Sequence, residues 1–325
     1  MSKYVTLSAI GSNMPDFSAF PKNYSVYEKE IKKKLLADID SVLPSRPDLI
    51  VFPECANRYI PYTRASLKEY YIHLGSSITD MLREVAVNNG TNIAYSAYRY
   101  ATPGTDKPFR NSTVYIDKNG EIAGIYDKNH LMIEEHTEGD AAYGTEAKTV
   151  TLDFGRVASA ICFDLNFDEL LYKYADQSPD LTVFCSMFHG GLKRQAQWAY
   201  TLRSYFISAV CGLPCSILNP YGDVIAASTN YTRYVSARVN LDYALCHIDY
   251  NMEKIIRAKN KYKNALTVYD PGYVGSLMLT CEEEQMHIKD ILEEFGIEPL
   301  DAYFARARSH RGENIKREAG EGRGI

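Results

Sequence analysis

Short apolar runs alternate along the chain with stretches whose apolar positions recur at helical spacing. VTLSAI at 5–10 predicts a first strand. Tyr27, Ile31, Leu35, Ile39, Val42 and Leu43 fall on one face of a helix over 26–43, with Ser25 and Glu28 spaced as its capping box. LIVF at 49–52 reads as a buried strand that ends at Pro53 and Glu54. Ile78, Met81, Leu82 and Val85 predict a helix stopped by Asn89-Gly90, and NIAYSAY at 92–98 a strand. STVYID and EIAGIY flank Lys118-Asn119-Gly120, a hairpin signal. VASAIC at 157–162 is a strand running straight into a helix whose apolar face is Phe167, Leu170, Leu171, Tyr174 and Ala175, with Asn166 and Glu169 as its cap. LTVFCSMF at 181–188 is a further strand. Trp198, Leu202, Tyr205, Phe206 and Ala209 predict one helix running on to Val210. PCSIL and DVIAA form a second hairpin, and residues 236–250 alternate as one long strand. Strand–helix–strand units mixed with hairpins predict an α/β layered fold with a mixed sheet. No low-complexity linker interrupts residues 1–255, which read as one domain. Residues 256–325 read as an extension with helices near 282–294 and 298–308, and its basic, glycine-rich end as a mobile tail or an arm ordered by a neighbouring subunit.

Composition narrows the picture. At 325 residues, 46% hydrophobic and 24% charged, the chain has ordinary globular usage. Its 36 basic and 41 acidic residues leave a net charge of −5, without the basic footprint of a nucleic-acid binder. Seven cysteines, an odd number with no CxxC repeat, argue against a disulfide framework. His73, His247, His287 and His310 lack metal-ligand spacing, so neither a metal nor a cofactor is assigned. The first residues lack a leader pattern, and the apolar stretch from Tyr205 to Leu218, broken by Gly212 and Pro214, is too short to span a bilayer. The expectation is a reduced, cytoplasmic protein without membrane contact.

Three predicted strand ends carry chemistry. Glu54 follows LIVF, Lys128 follows EIAGIYD, and Cys162 ends VASAI just before a helix. In α/β sheets ligands bind beyond the carboxyl ends of the strands, so the three can share one pocket. A thiol attacks as thiolate, whose formation a neighbouring cation or helix N-terminus favours. A carboxylate can shuttle protons, and an ammonium beside a backbone N–H can hold an oxyanion. Together these groups suffice for acyl transfer through a thioester. Asn57, Arg58 and Tyr59, just after Glu54, are candidate substrate contacts.

VFPEC at 51–55, YDKNHL at 126–131 and GRVASAICFDLNF at 155–167 occur in that order, with Arg110-Asn111-Ser112 and NPYGDVIAAS at 219–228 between and beyond them. This set resembles the nitrilase superfamily of carbon–nitrogen hydrolases, from the first strand to about residue 250. The resemblance implies a four-layer α-β-β-α sandwich. It implies Glu54 as general base, Lys128 as oxyanion-stabilising ammonium and Cys162 as nucleophile, with the Phe163 backbone N–H sharing the oxyanion hole. It places Glu135, or its neighbour Glu134, as a second glutamate, sets Phe188 and His189 on the pocket wall, and makes His130 a support of the lysine loop. CFD after the strand looks more like the amidase branches than the true nitrilases. Tyr143-Gly144 stands where the family has Pro-Gly. The implied reaction is hydrolysis of a small amide or N-carbamoyl compound by water, with nitrile hydrolysis or a silent metabolite-binding member as alternatives. A papain-like Cys–His hydrolase using His130 or His189 lacks that family's pattern around the cysteine. The resemblance also implies a homodimer or higher homo-oligomer, which the apolar 198–210 helix and the basic tail would support.

Overall fold

The computed structural model describes residues 4–187, 191–212 and 214–321. They divide into two compact units, one spanning Val5–Val239 and one spanning Asn240 onward together with Tyr4.

In the first unit the strands are β1 (Tyr4–Ile10), β2 (Leu49–Val51), β3 (Asn92–Tyr100), β4 (Phe109–Ile116), β5 (Ile122–Asp127), β6 (Val150–Leu152), β7 (Gly155–Ile161), β8 (Leu181–Ser186), β9 (Tyr205–Val210), β10 (Ser216–Leu218), β11 (Val224–Ala227) and β12 (Tyr234–Asn240). Its helices are α1 (Tyr24–Val42), α2 (Arg64–Leu74), α3 (Ser77–Asn89), α4 (Ile133–Thr137), α5 (Asp168–Ala175) and α6 (Leu192–Leu202). The strands form two six-stranded sheets, ordered β12-β1-β2-β3-β4-β5 and β11-β10-β9-β8-β7-β6. Each is mixed: β1–β2–β3 and β7–β8–β9 pair in parallel, and β3–β4–β5, β6–β7 and β9–β10–β11 antiparallel. The sheets face each other through β4 against β7 and β2 against β9. Two polar links cross that face, Tyr115 to Ser159 at 2.6 Å between the hydroxyls and the Thr113 hydroxyl donating to Cys185 Sγ at 3.7 Å. Ile31, Leu35, Ile39, Tyr70, Ile78 and Leu82 of α1–α3 bury against Ile50, Ile93 and Tyr95 on the outer side of the first sheet. Leu170, Leu171, Tyr174, Trp198 and Leu202 of α5 and α6 cover the second with Ala158, Phe184 and Phe206. The result is the four-layer α-β-β-α sandwich. Among the described residues no helix is long and apolar enough to cross a membrane.

Several local readings change. The predicted helix from Trp198 to Val210 ends at Leu202, where Arg203 turns left-handed at φ 55°, and Tyr205–Val210 is the fully buried strand β9. A short run buried on both faces carries no periodicity that separates strand from helix. Trp198 is wholly buried within its own chain, so this segment lends no support to subunit pairing. The cap of α1 is Asn23, whose Oδ1 accepts from Ser25 N at 3.0 Å and Val26 N at 3.3 Å, rather than Ser25. The long strand over 236–250 is two, because Asn240 Oδ1 accepts from Asp242 N at 2.9 Å in a tight turn that ends β12.

The second unit contains β13 (Tyr243–His247), α7 (Met252–Tyr262), β14 (Leu266–Tyr269), β15 (Ser276–Cys281), α8 (Ile288–Phe295) and α9 (Leu300–Glu321). β15 pairs antiparallel with both β13 and β14, and Ile255, Ile288, Ile291 and Leu292 bury against Leu277 and Leu279. The stretch expected to be a loose tail continues as helix to Glu321. Its alanines, arginines and glutamates are good helix formers, a local preference that outweighs Gly312 and Gly320.

Candidate active site

The ends of β2, β5 and β7 bring Glu54, Lys128 and Cys162 together. Lys128 is 1% exposed, and its Nζ donates to Glu54 Oε1 at 2.9 Å and to Glu135 Oε2 at 2.8 Å. Asn111 on β4 bridges the same two carboxylates, its Nδ2 lying 2.8 Å from Glu54 Oε1 and 2.8 Å from Glu135 Oε1. Backbone N–H groups complete the cage: Met187 N donates to Glu54 Oε2 at 3.1 Å and Met132 N to Glu135 Oε2 at 2.9 Å. Burying an ammonium is expensive unless it is paired and hydrogen-bonded, and here two carboxylates share it. The short helix α4 presents Glu135 inward, while Ile133 and Glu134 face out.

The charges follow from this arrangement. Burial favours the neutral form of Glu54, but the Lys128 charge, its hydrogen bond and that of Asn111 prevail and hold the carboxyl below its ordinary range. Burial likewise works against the Lys128 ammonium, yet Glu54 and Glu135 raise its pKa above the ordinary lysine value. The Cys162 thiol is pushed up to about 11, first by burial and then by the Glu54 charge, against weaker opposing effects of Lys128 and of a hydrogen bond with Ser186. The sequence reading has Lys128 or a helix N-terminus favouring formation of the thiolate. Here burial and then the Glu54 charge outweigh Lys128, whose ammonium is already paired with two glutamates, and the balance favours a neutral thiol beside an ionised carboxylate. Nor does a helix N-terminus meet the thiol directly: a 310 turn, Cys162–Asn166, intervenes and α5 begins only at Asp168. Asn166, expected to cap that helix, donates to Phe163 O at 3.1 Å.

Cys162 has φ 48°, a left-handed backbone that costs a residue with a Cβ roughly 1–3 kcal/mol unless its surroundings enforce it. Asp164 does the enforcing. Its wholly buried carboxylate accepts from Ile161 N at 3.0 Å and the Tyr126 hydroxyl at 2.8 Å through Oδ2, and from His130 N at 2.7 Å through Oδ1. His130 Nδ1 lies 3.1 Å from the same Oδ1, and its ring stacks on Phe167 with centroids 3.8 Å apart. One side chain thereby ties the residue before the thiol to the loop after Lys128. His130 serves the lysine loop, as expected. Asp164 and Asn111 were missed as site residues: an Asp after a strand is usually solvated, and Asn111, though within the Arg110-Asn111-Ser112 segment of the resemblance and at an inward position of FRNSTVYI, was given no role.

Phe163 is partly exposed, and its N–H belongs to the first turn of the 310 segment, whose leading donors have no partner within the turn. Asn57 and Tyr59, expected at the substrate face, pack inward. Asn57 Nδ2 donates to Tyr98 O at 3.0 Å and its Oδ1 accepts from Tyr98 N at 3.3 Å, while Tyr59 joins the rings of Phe17, Tyr27 and Tyr70. Phe188 and His189 lie outside the described residues.

Comparison with known proteins adds the following. The family model described as carbon–nitrogen hydrolase matches residues 28–244. A deaminated glutathione amidase of Mus musculus is 26% identical over 158 residues, covering 41% of this chain and 49% of the relative. An omega-amidase of Saccharomyces cerevisiae is 23% identical over 164 residues, covering 46% and 55%. The chain thus spans about half the length of the curated relatives it matches. The crystal structure of a Saccharomyces cerevisiae protein, described as a member of branch 10 of the nitrilase superfamily, superposes with a TM-score of 0.57 at 18% identity over 73% of this chain and 90% of that one, a likeness of fold.

Proposed function

Because the chain belongs to the carbon–nitrogen hydrolase family, we propose that it hydrolyses the amide bond of a small molecule through a thioester on Cys162. The observation that carries this reading is the buried Lys128 clamped between Glu54 and Glu135 beside a neutral thiol. With the thiol protonated and Glu54 ionised, attack requires a proton to leave as the C–S bond forms, and Glu54 is the base at hand. The carbonyl oxygen gains negative charge, which Lys128 Nζ and the Phe163 N–H stabilise. Glu54 then returns the proton to the leaving nitrogen, the C–N bond breaks, and ammonia or an amine departs. Water attacks the thioester with Glu54 again taking a proton, and the carboxylic acid leaves as the thiol is restored. Glu135 keeps Lys128 charged and aimed while Glu54 changes protonation, so it positions rather than reacts. The relatives named as amidases support an amide over a nitrile substrate.

The test is ammonia release from a panel of small amides and N-carbamoyl compounds, with Cys162→Ala as blank, and mass spectrometry of the rapidly quenched enzyme. The expected results are turnover abolished in the variant and an acyl adduct confined to Cys162. Equal ammonia release by both proteins, or an adduct elsewhere, overturns the thioester route.

A further inference from the structure

Away from the clamp, the helices leave part of the first sheet's outer side uncovered. α2 ends at Leu74 and α3 begins at Ser77, and the two residues between them, Gly75 and Ser76, carry little side chain. Gly75 has φ 51°, and a Cβ placed on it would meet nothing within 4 Å. Between this junction and the outer side of β3, β4 and β5 lies a cavity of about 380 Å³, within the roughly 300–1,000 Å³ of small-molecule sites. Glu54, Lys128, Glu135 and Cys162 are not among its lining residues.

Its walls are mainly aromatic. Tyr71, Tyr95, Tyr98 and Tyr100 line it, and Ile122 and Ile125, 40% and 47% exposed, form its lip. The rings of Tyr71 and Tyr98 stack with centroids 5.1 Å apart. The Tyr71 hydroxyl accepts from Arg58 Nε at 3.2 Å, and the Tyr98 hydroxyl donates to Glu135 O at 3.3 Å and Gly139 O at 3.1 Å. These two tyrosines therefore offer the cavity ring surface, which favours an aromatic guest in an offset or edge-to-face contact. The polar groups of Asn57 and Ser76 are engaged as well, with the backbone of Tyr98 and with Asp80.

Arg99 is the one charged side chain among the lining residues. Its Nε donates to Ser112 Oγ at 3.0 Å and its Nη2 to Asp127 Oδ1 at 3.1 Å, while Arg110 Nε lies 3.5 Å from Oδ2 of the same aspartate. Two guanidinia thus share one carboxylate, which leaves positive charge in excess at this end of the cavity. Arg99 Nη1 has no partner among the described residues, and a guanidinium takes a carboxylate through charge-assisted hydrogen bonds.

We infer that this cavity is a binding site for a small aromatic carboxylate, its ring among the tyrosines and its acid group at Arg99. The probes are benzoate and phenylacetate, with benzyl alcohol and phenethyl alcohol as neutral counterparts and cyclohexanecarboxylate as an acid without the aromatic ring. Kd is measured by NMR titration of the full chain. At least one aromatic acid is expected to bind at least fivefold tighter than its alcohol and at least threefold tighter than cyclohexanecarboxylate. Arg99→Met is expected to erase the advantage over the alcohol. A small acid also resembles the product of the reaction proposed above, so Ile125→Trp, which fills the exposed lip, decides where it sits: affinity for the acid should fall at least tenfold. An affinity that Ile125→Trp leaves unchanged seats the acid elsewhere and overturns the inference. So do the absence of binding by both aromatic acids and affinities no better than those of the alcohols or the alicyclic acid. Should Arg99→Met not fold, the comparison of acids with alcohols on the parent protein and the Ile125→Trp variant, altered at an exposed position, still decide.

Discussion

Replacing Asp164 with asparagine keeps the shape of a wholly buried side chain and changes only what it can accept. Four donors converge on the native carboxylate, two at each oxygen: His130 N and Nδ1 at Oδ1, Ile161 N and the Tyr126 hydroxyl at Oδ2. An asparagine offers one oxygen and one NH2. The hydroxyl can rotate and the imidazole can change tautomer, but neither backbone N–H can become an acceptor. Whichever way the amide lies, one buried backbone donor faces another donor. Leaving it unmet costs about 1–3 kcal/mol, and loss of the charge from the remaining bonds adds roughly 1 kcal/mol. The expected destabilisation is therefore about 2–4 kcal/mol, or about 4–16 °C in Tm at 2–4 °C per kcal/mol for a unit of this size. The damage falls at Ile161, beside the left-handed nucleophile, or at His130, two residues after Lys128, so kcat should drop at least about tenfold while KM changes less. Urea unfolding and steady-state ammonia release measure the two effects. Tyr126→Phe, which removes one donor to the carboxylate and frees only the long, part-buried Asn129 N–H contact at 3.4 Å, sets the scale at about 1 kcal/mol. An Asp164→Asn protein within about 0.5 kcal/mol of the parent and within twofold in kcat would show that this carboxylate holds nothing together.

Lys128→Ala should lose roughly a hundredfold to a thousandfold in kcat, the cost of one oxyanion donor, and Lys128→Arg should not restore it, because the wider planar guanidinium does not fit between Glu54 and Glu135; a near-normal arginine variant contradicts the clamp. Buried thiols should make the fold sensitive to alkali: Cys162 and Cys215 are pushed up to about 11, and Cys55, Cys185 and Cys246 to about 12, from an ordinary 9.0, mainly by burial. The unfolded chain releases these protons near pH 9 while the folded one retains them, so stability is whole below pH 9 and falls as pH rises through 11–12; a Tm flat from pH 8 to 11 in reductant would refute this. The same neutral thiol predicts that iodoacetamide labels Cys162 slowly at pH 7 and faster with each rise in pH, and a pH-independent rate would point to a preformed thiolate. Sedimentation at micromolar concentration is expected to give a dimer or a larger assembly, and a lone monomer peak would dispose of the pairing proposed from family resemblance.

Where the sequence was legible, a periodicity or a motif forced the reading. The apolar face of α1, the hairpin at Lys118-Asn119-Gly120 and the three polar strand ends each have a local cause. The contributions of Asp164 and Asn111 do not, since they join distant segments: Asp164 reaches His130, 34 residues away, and Asn111 reaches Glu54 and Glu135, 57 and 24 residues away. The helix misread at Tyr205–Val210 shows the same limit from the apolar side: a strand buried on both faces by sheet and helix has no polar face to mark its period. The raised thiol pKa was equally illegible. It depends first on how deeply the thiol is buried and then on the Glu54 charge beside it, both fixed only when the ends of β2 and β7 are brought together.

The two sheets divide the chemistry between them. Glu54, Asn111, Lys128 and Glu135 hang from the first, and Cys162 with Asp164 follows the second. In the proposed mechanism neither half is a catalyst alone, and at the site the halves are joined by the bonds of Asp164 to Tyr126 and His130 and of Met187 N to Glu54. Activity is consequently a gauge of alignment: a slip of one layer over the other by a fraction of an ångström separates thiol from base while every strand keeps its own hydrogen bonds. In rising denaturant the rate should therefore fade before the circular dichroism moves, and the interval between the two midpoints measures how softly the layers are docked.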